Sequence, residues 1–492
     1  MSEIFKSSYR NIFILSLLVF LITAFFSTGC FHPDEHFQIL EFCNFKLGQT
    51  PAADLPWEFH ERIRPALQPA LGYLIIKGLN IISIQNPFTY SLIFRILTAI
   101  FSWLVISKFC LLLIKEFSTE KARKIFIWMS LFLWFVPLLS VRFSSENYSA
   151  LTLFSAVYLI IKFNDSPLYK NILQLIFAGM LLGFSFYFRF QMGLAILGIG
   201  LWLVIIGKMK WKNLSVLIVS GMLAITFCIY LDYWFYGSFE LSPVNYFLAN
   251  IIENKAADYG TDPWWYYFIL FILKAVPPIS IILLGFFLIG IYKKPRSIFV
   301  WILIPFLIGH FAIGHKELRF LFPMVFILIY LANIGIESYF AKQKLQRIGR
   351  YIFIFAAAIN FIILASIMFT PAQDSINCYK FLYNNSSKNE MILLCKEKNV
   401  YDMVGIKTHF YESSKVKCVV LKDNVQISNY LKINKQRQIY LLERNFSSNN
   451  DFVGYHSKIV YSTFPKWISN FNFNNWMSRA SVWKIVEIQK ID

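Results

Sequence analysis

Charge is scarce in this chain, and acid scarcer than base. Only 15% of the 492 residues are charged, 28 acidic against 47 basic, where a soluble domain carries about 25%. A soluble globular class is therefore excluded. Cysteine lacks any useful pattern: the seven residues form no CxxC pair and no zinc spacing, which excludes a disulfide framework and a zinc ribbon. Cys30 and Cys43 are close enough in sequence to pair but are read as packed thiols. Internal repeats, low-complexity segments, a nucleotide-sugar loop and a metal-ligand triad are all missing from the sequence, so neither cofactor nor metal is expected. What is abundant is apolar: 57% hydrophobic and 18% aromatic, in runs long enough to span a bilayer.

We read eleven spans, near 11–28, 89–114, 125–141, 148–162, 172–188, 191–207, 214–231, 265–291, 298–313, 320–338 and 351–370. Several fall short of the about 20 residues a straight span needs, so some helices must be broken or partly enclosed by protein. The first run follows Lys6 and Arg10 and reads as a retained signal anchor. The stretch 65–85 is interrupted by Gln68, Lys77 and Asn80 and is placed flat in the interface. The predicted class is an all-α polytopic membrane bundle of about eleven transmembrane helices, residues 1–370. Its first external loop is 29–88, and a small α/β domain outside the membrane covers 371–492. In that domain Met391–Leu394, Val416–Leu421 and Gln438–Leu442 read as strands.

The basic residues orient the bundle. Alternate loops hold Lys115, Lys121, Arg123 and Lys124; Lys162 and Lys170; Lys208, Lys210 and Lys212; Lys293, Lys294 and Arg296; Lys342, Lys344, Arg347 and Arg350. With the N-terminus these define the cytoplasmic face, and the net charge of +19 needs no nucleic-acid partner. The polar and aromatic loops, and the 371–492 domain, then fall together on the opposite face. Intramembrane-edge charges such as Arg142, Glu146 and Arg189 are kept there, where ionisable groups are costly and mark function.

The stretch Phe31-His32-Pro33-Asp34-Glu35-His36-Phe37-Gln38 concentrates two carboxylates and two imidazoles beside the first span. Pro33 suits the first turn of a helix, and the following acids suit its dipole. If an α-helix runs to Gly48, Asp34, Gln38 and Glu41 share a face, and Glu35 lies with Ile39 and Phe42. Asp34 is then the better candidate for chemistry. A second cluster, Gly314-His315-Lys316-Glu317-Leu318-Arg319-Phe320, offers Lys and Arg for a phosphate. Read alone, it is an ion-pair loop. Aromatic stretches at Asp232–Gly237, Pro243–Tyr246 and Tyr259–Trp265 suit sugar stacking, and equally an interfacial belt.

Taken in order, His-Pro-Asp-Glu-x-Phe-Gln after the first span, Trp57-Glu58-Phe59 with Arg64-Pro65 and Pro69, Arg189-x-Gln191, Tyr259-Gly260-Thr261-x-Pro263-Trp264 and His315-Lys316-Glu317-x-Arg319-Phe320-Leu321-x-Pro323 resemble one group. It is glycosyltransferase family 22, the polyprenyl-phosphate-mannose-dependent α-mannosyltransferases of GPI-anchor and N-glycan assembly. The resemblance covers roughly residues 10–330 and implies the GT-C fold. It implies a polyprenyl-phosphate-mannose donor, a lipid-linked glycan acceptor and inversion at the anomeric carbon. It casts Asp34 as base and Glu35 as second acid. Lys316, Arg319, Arg189 and His315 would serve the donor phosphate, and Gln38, Trp57, Glu58, Tyr259 and Trp264 the acceptor or sugar. The site would face the periplasm of a bacterium, or the endoplasmic reticulum lumen of a eukaryote. Two rival readings are a lipid or sugar transporter, and a membrane hydrolase using His32 and His36 for zinc. Neither an inverted repeat nor a matched pair of broken helices supports the first. Pro33 places His32 ahead of the helix, against the second.

Overall fold

The computed structural model describes all residues except 1–2, 5–6, 164–167, 341–346, 387–389, 397, 435–438, 445, 447–451 and 492. Lys6, Lys342, Lys344 and Gln438, named above, lie outside the described residues. The chain divides into two compact units. One gathers Met1–Ser27, Trp57–Gly72 and Leu92–Thr370; the other gathers Thr28–Pro56, Tyr73–Ser91 and Pro371–Asp492.

The first unit is helical. Every apolar run forms helix, and two are broken. The run 125–141 becomes Glu120–Phe132 and Phe135–Ser140. The run 265–291 becomes Tyr266–Lys274 and Ile279–Lys293, parted where Pro277 and Pro278 supply no N–H. Among the described residues four stretches are each long and apolar enough to cross a membrane: Pro87–Glu116, Trp211–Tyr236, Leu318–Phe340 and Arg347–Met368. Ile279–Lys293 and Ile298–Ala312 qualify together and turn by 119° at their break. Shorter apolar helices are Arg10–Phe26, Ile172–Phe188 and Met192–Ile205.

Small residues let these helices approach. A Cβ on Gly335 would lie 1.9 Å from the Phe286 carbonyl oxygen, and one on Gly290 would lie 1.9 Å from that of Leu331. Helices Ile279–Lys293 and Val325–Phe340 therefore meet backbone to backbone, the close packing that lipid-embedded helices rely on. The centre is aromatic: Phe109 packs edge-on against Phe154 and Phe326 at 5.6 and 5.5 Å. The Trp103 indole N–H donates to the Phe13 carbonyl at 3.0 Å.

The second unit carries a sheet. Its strands are β1 Met391–Lys396, β2 Asp402–Met403, β3 Ile406–Lys407, β4 Val416–Leu421, β5 Ile439–Glu443, β6 Tyr455–Ser462 and β7 Lys484–Lys490. Five of them align in the order β4-β1-β5-β7-β6, while β2 and β3 pair separately. β1 runs parallel to β4 and β5, and β7 antiparallel to β5 and β6. Leu394, Leu441 and Val486 pack with Ile427 and Leu431 of helix Asn424–Ile433. The three apolar stretches of the tail thus form β1, β4 and β5. β6 is mostly exposed, so no burial alternation marks it.

Candidate active site

In the second unit the His-Pro-Asp-Glu stretch starts a helix as its residues dictate. His32 is the N-cap and Pro33 the first helical residue. The Asp34 backbone N–H donates to His32 Nδ1 at 3.3 Å, so that nitrogen is an acceptor. Asp34 Oδ1, 3.5 Å away, therefore receives no proton from it. The Asp34 side chain is 27% exposed. Glu35 Oε2 accepts from the Phe31 backbone N–H at 3.2 Å, closing the turn.

The expected α register does not continue. Residues His36–Glu41 form a π-helical turn before α-helix resumes at Phe42–Lys46. Each π turn takes up one extra residue, so Glu41 leaves the face of Asp34 and Gln38 and is fully buried. Its Oε1 faces His36 Nε2 at 2.8 Å and accepts the backbone N–H groups of His409 and Phe410 at 2.7 and 2.9 Å. Its Oε2 accepts the Thr50 hydroxyl at 2.6 Å. Burial alone would raise the carboxyl; the bonds from His36, Thr50 and Phe410 outweigh it and hold the group below its usual value. Ile39 and Phe42 are buried and Glu35 is half-exposed.

In the first unit the second cluster assembles around one ring. The Arg189 guanidinium lies 5.2 Å from the Phe320 ring centre and that of Arg319 5.3 Å. Glu146 Oε1 is 2.7 Å from Arg189 Nη1 and 4.0 Å from Arg319 Nη1. Glu317 accepts from Arg319 Nε and, at 3.1 Å, from its Nη2. His315 sits between the Gly260 carbonyl (3.1 Å) and Glu317 (3.0 Å). Lys316 is buried. Its Nζ donates to the carbonyls of His310, Phe311 and Ile313, capping helix Ile298–Ala312. Burial pulls this ammonium below its usual value. Two guanidiniums thus face two carboxylates in a largely buried setting, with the Lys316 ammonium beside them on backbone carbonyls. The Arg189 Nε–H has no partner among the described residues.

The aromatic rim of this unit is partly assembled. The Trp57 indole N–H donates to the Tyr259 hydroxyl at 2.7 Å, while Trp264 lies against Phe268 and Phe311. Glu58 meets Arg64 at 3.5 Å. Asp232 of the Trp211–Tyr236 helix accepts the Ala66 backbone N–H (2.8 Å) and the Tyr187 hydroxyl (2.5 Å). One turn on, the Tyr236 hydroxyl donates to the Arg64 carbonyl at 2.7 Å, fixing the Arg64-Pro65-Ala66 turn. Arg142 is not part of the arginine pair; its Nη2 donates to the Ser27 carbonyl at 2.7 Å.

The sequence reading named Glu146 as a membrane-edge charge, Phe320 as part of the second cluster and Tyr246 in an aromatic stretch, but not the bridge, the platform or the Tyr246 hydroxyl that accepts from the Gln191 amide beneath Arg64. They come from separate helices, and only folding reveals the contact. Among the described residues no group of three or more His, Cys, Asp or Glu side chains could hold a metal ion.

Known proteins resemble this chain. GPI mannosyltransferase 3 of Yarrowia lipolytica is 28% identical over 61% of this chain and 56% of its own length. GPI mannosyltransferase 3 of Candida albicans is 28% identical over 70% of this chain and 67% of its own. A probable Dol-P-Man:Man(7)GlcNAc(2)-PP-Dol alpha-1,6-mannosyltransferase of Schizosaccharomyces pombe is 27% identical over 53% of this chain and 48% of its own. The chain thus spans about half to two thirds of the relatives it matches. The crystal structure of ArnT from Cupriavidus metallidurans bound to undecaprenyl phosphate superposes with a TM-score of 0.56, at 11% identity, over 98% of both chains. That likeness establishes the GT-C fold. Residues 11–411 match one family along most of the chain, and the chain belongs to it: the Alg9-like mannosyltransferase family.

Proposed function

We propose that this protein is an integral-membrane inverting mannosyltransferase. It moves mannose from a polyprenyl-phosphate donor to a lipid-linked glycan, with about eleven spans and its site on the non-cytoplasmic face. The named activities of its relatives support this, as does the undecaprenyl phosphate bound to ArnT. The observation that carries it is the pair Arg189 and Arg319 on one carboxylate and one ring, with a buried N–H to spare. Guanidinium forks match phosphate oxygens.

In the reaction the acceptor hydroxyl oxygen attacks the anomeric carbon. The bond from that carbon to the phosphate oxygen breaks, and the electron pair leaves with the phosphate. The hydroxyl proton passes to Asp34 as the base. Glu35 is the second acid nearby. Arg319 and Arg189 offset the charge growing on the phosphate, with Lys316 and His315 holding the loop that presents Arg319. Gln38, Trp57, Glu58, Tyr259 and Trp264 would contact acceptor or sugar. The test is transfer of radiolabelled mannose from polyprenyl-phosphate-mannose to a lipid-linked glycan by the purified protein. Transfer that is lost in Asp34→Asn supports the reading. Absence of transfer to any mannosylated or glucosaminylated lipid acceptor, with folded protein and intact donor, sinks it.

A further inference from the structure

We infer that His310 and Tyr267 read a hydroxyl of the sugar that the donor carries; this rests on the phosphate reading of the arginine pair. Both side chains are buried, at 2% exposure; among the described residues His310 Nε2 has no partner and the Tyr267 O–H has no acceptor. His310 Nδ1 lies 2.8 Å from the Phe306 carbonyl. A carbonyl only accepts, so Nδ1 holds the ring's proton and Nε2 is a bare acceptor. Nε2 is the atom left over. For Tyr267 the Glu317 amide approaches the phenolic oxygen, and the O–H itself has nothing to donate to.

The two belong to the cation cluster. The His310 ring centre is 6.4 Å from that of Phe320, the platform beneath both guanidiniums. The His310 carbonyl accepts from Lys316 Nζ at 3.4 Å, and that ammonium lies 5.6 Å over the Tyr267 ring. Arg189 lies over the same Phe320 ring, at 5.2 Å. Around them are Phe306, 4.1 Å from the imidazole between ring centres, and Phe311, 6.0 Å from Tyr267.

A lipid phosphate alone would not complete this set. Its ionised oxygens accept and give no proton, so His310 Nε2 would stay unsatisfied, at a cost. A hydroxyl both donates and accepts. It can give its proton to His310 Nε2 and take one from Tyr267, while Arg189 holds the adjoining phosphate oxygen. The ligand that matches is therefore a glycosyl phosphate, and these two residues distinguish it from the spent lipid phosphate left after transfer. A bridging water has the same two-way capacity, and the experiment separates the two.

The measurement uses the full chain in detergent. It compares the KM for polyprenyl-phosphate-mannose with the inhibition constant of bare polyprenyl phosphate, and follows thermal unfolding as the check on folding. His310→Phe removes the acceptor but keeps a ring, and should raise the donor KM ~10-fold while leaving inhibition by the bare lipid phosphate within about twofold. His310→Gln, whose amide oxygen accepts, should recover most of the loss. Tyr267→Phe should shift the same ratio in the same direction. Equal weakening of both ligands, or no change in either, would show a structural or water-filled position and overturn the inference. If bare polyprenyl phosphate fails to inhibit the unaltered protein, the phosphate reading falls first and takes this one with it.

Discussion

Arg189 and Arg319 divide one carboxylate oxygen between them, Oε1 of Glu146, at 2.7 and 4.0 Å. Two guanidiniums this close repel unless an anion compensates. Glu146 compensates on one side. Buried pairs of this kind seldom add net stability, so their presence argues for work other than folding.

The first expectation follows from that pair. Arg319→Lys keeps the charge and loses the fork. It should lower kcat/KM for the polyprenyl-phosphate donor ~10-fold or more with little change in melting temperature. Arg189→Lys should act in the same direction. Steady-state kinetics beside a thermal melt decide the matter: normal kinetics in two folded variants would reduce the cluster to an ion-pair loop.

Lys316 should behave differently from Arg319. Its ammonium is spent on the carbonyls that end helix Ile298–Ala312. Lys316→Ala should therefore lower stability by about 2 kcal/mol as well as turnover. A variant that loses turnover and keeps its full melting temperature would return Lys316 to direct phosphate contact.

Asp34→Asn preserves size and cannot take a proton, so near-complete loss of mannose transfer is expected with donor binding intact. Glu35→Gln should be milder, since an amide oxygen still accepts the Phe31 N–H. An inactive Glu35→Gln beside an active Asp34→Asn would pass the role of base to Glu35.

Glu41 supplies a pH signature. Its carboxyl is held below its ordinary value of 4.5. A depressed carboxylate contributes stability that is complete above the unfolded value and drains away as pH falls through the folded one. Melting temperature should hold near neutrality and fall as pH drops below about 4.5. Glu41→Gln should start lower and slope less over that window. A parallel slope in the variant would assign the acid lability elsewhere.

Much of this molecule was legible in its residues. Every apolar run became helix, because hydropathy and length admit little else in a bilayer. The helix start at Pro33, with His32 ahead of it, followed from the side chains alone. The fate of Glu41 did not, because heptad spacing assumes 3.6 residues per turn and a π turn breaks that count without any sequence mark. Nor was His310 visible: it sits inside the apolar run 298–313, where one imidazole reads as packing. Arg142 and Arg189 looked alike at the membrane edge. Only tertiary contact sends one to the Ser27 carbonyl and the other to Glu146.

The buried Glu41 carboxylate ends, at residues 409 and 410, a sentence begun at residue 32. The family match runs to 411, one residue past the second of those two amides, and so includes the anchor as well as the loop it holds. Cutting the chain after its last apolar helix would leave a carboxylate with two of its donors gone and the helix carrying Asp34 without its footing. The tail, on that account, braces the helix that carries the proposed base, and a shortened chain ending at Thr370 should lose the mannose transfer proposed for the full chain.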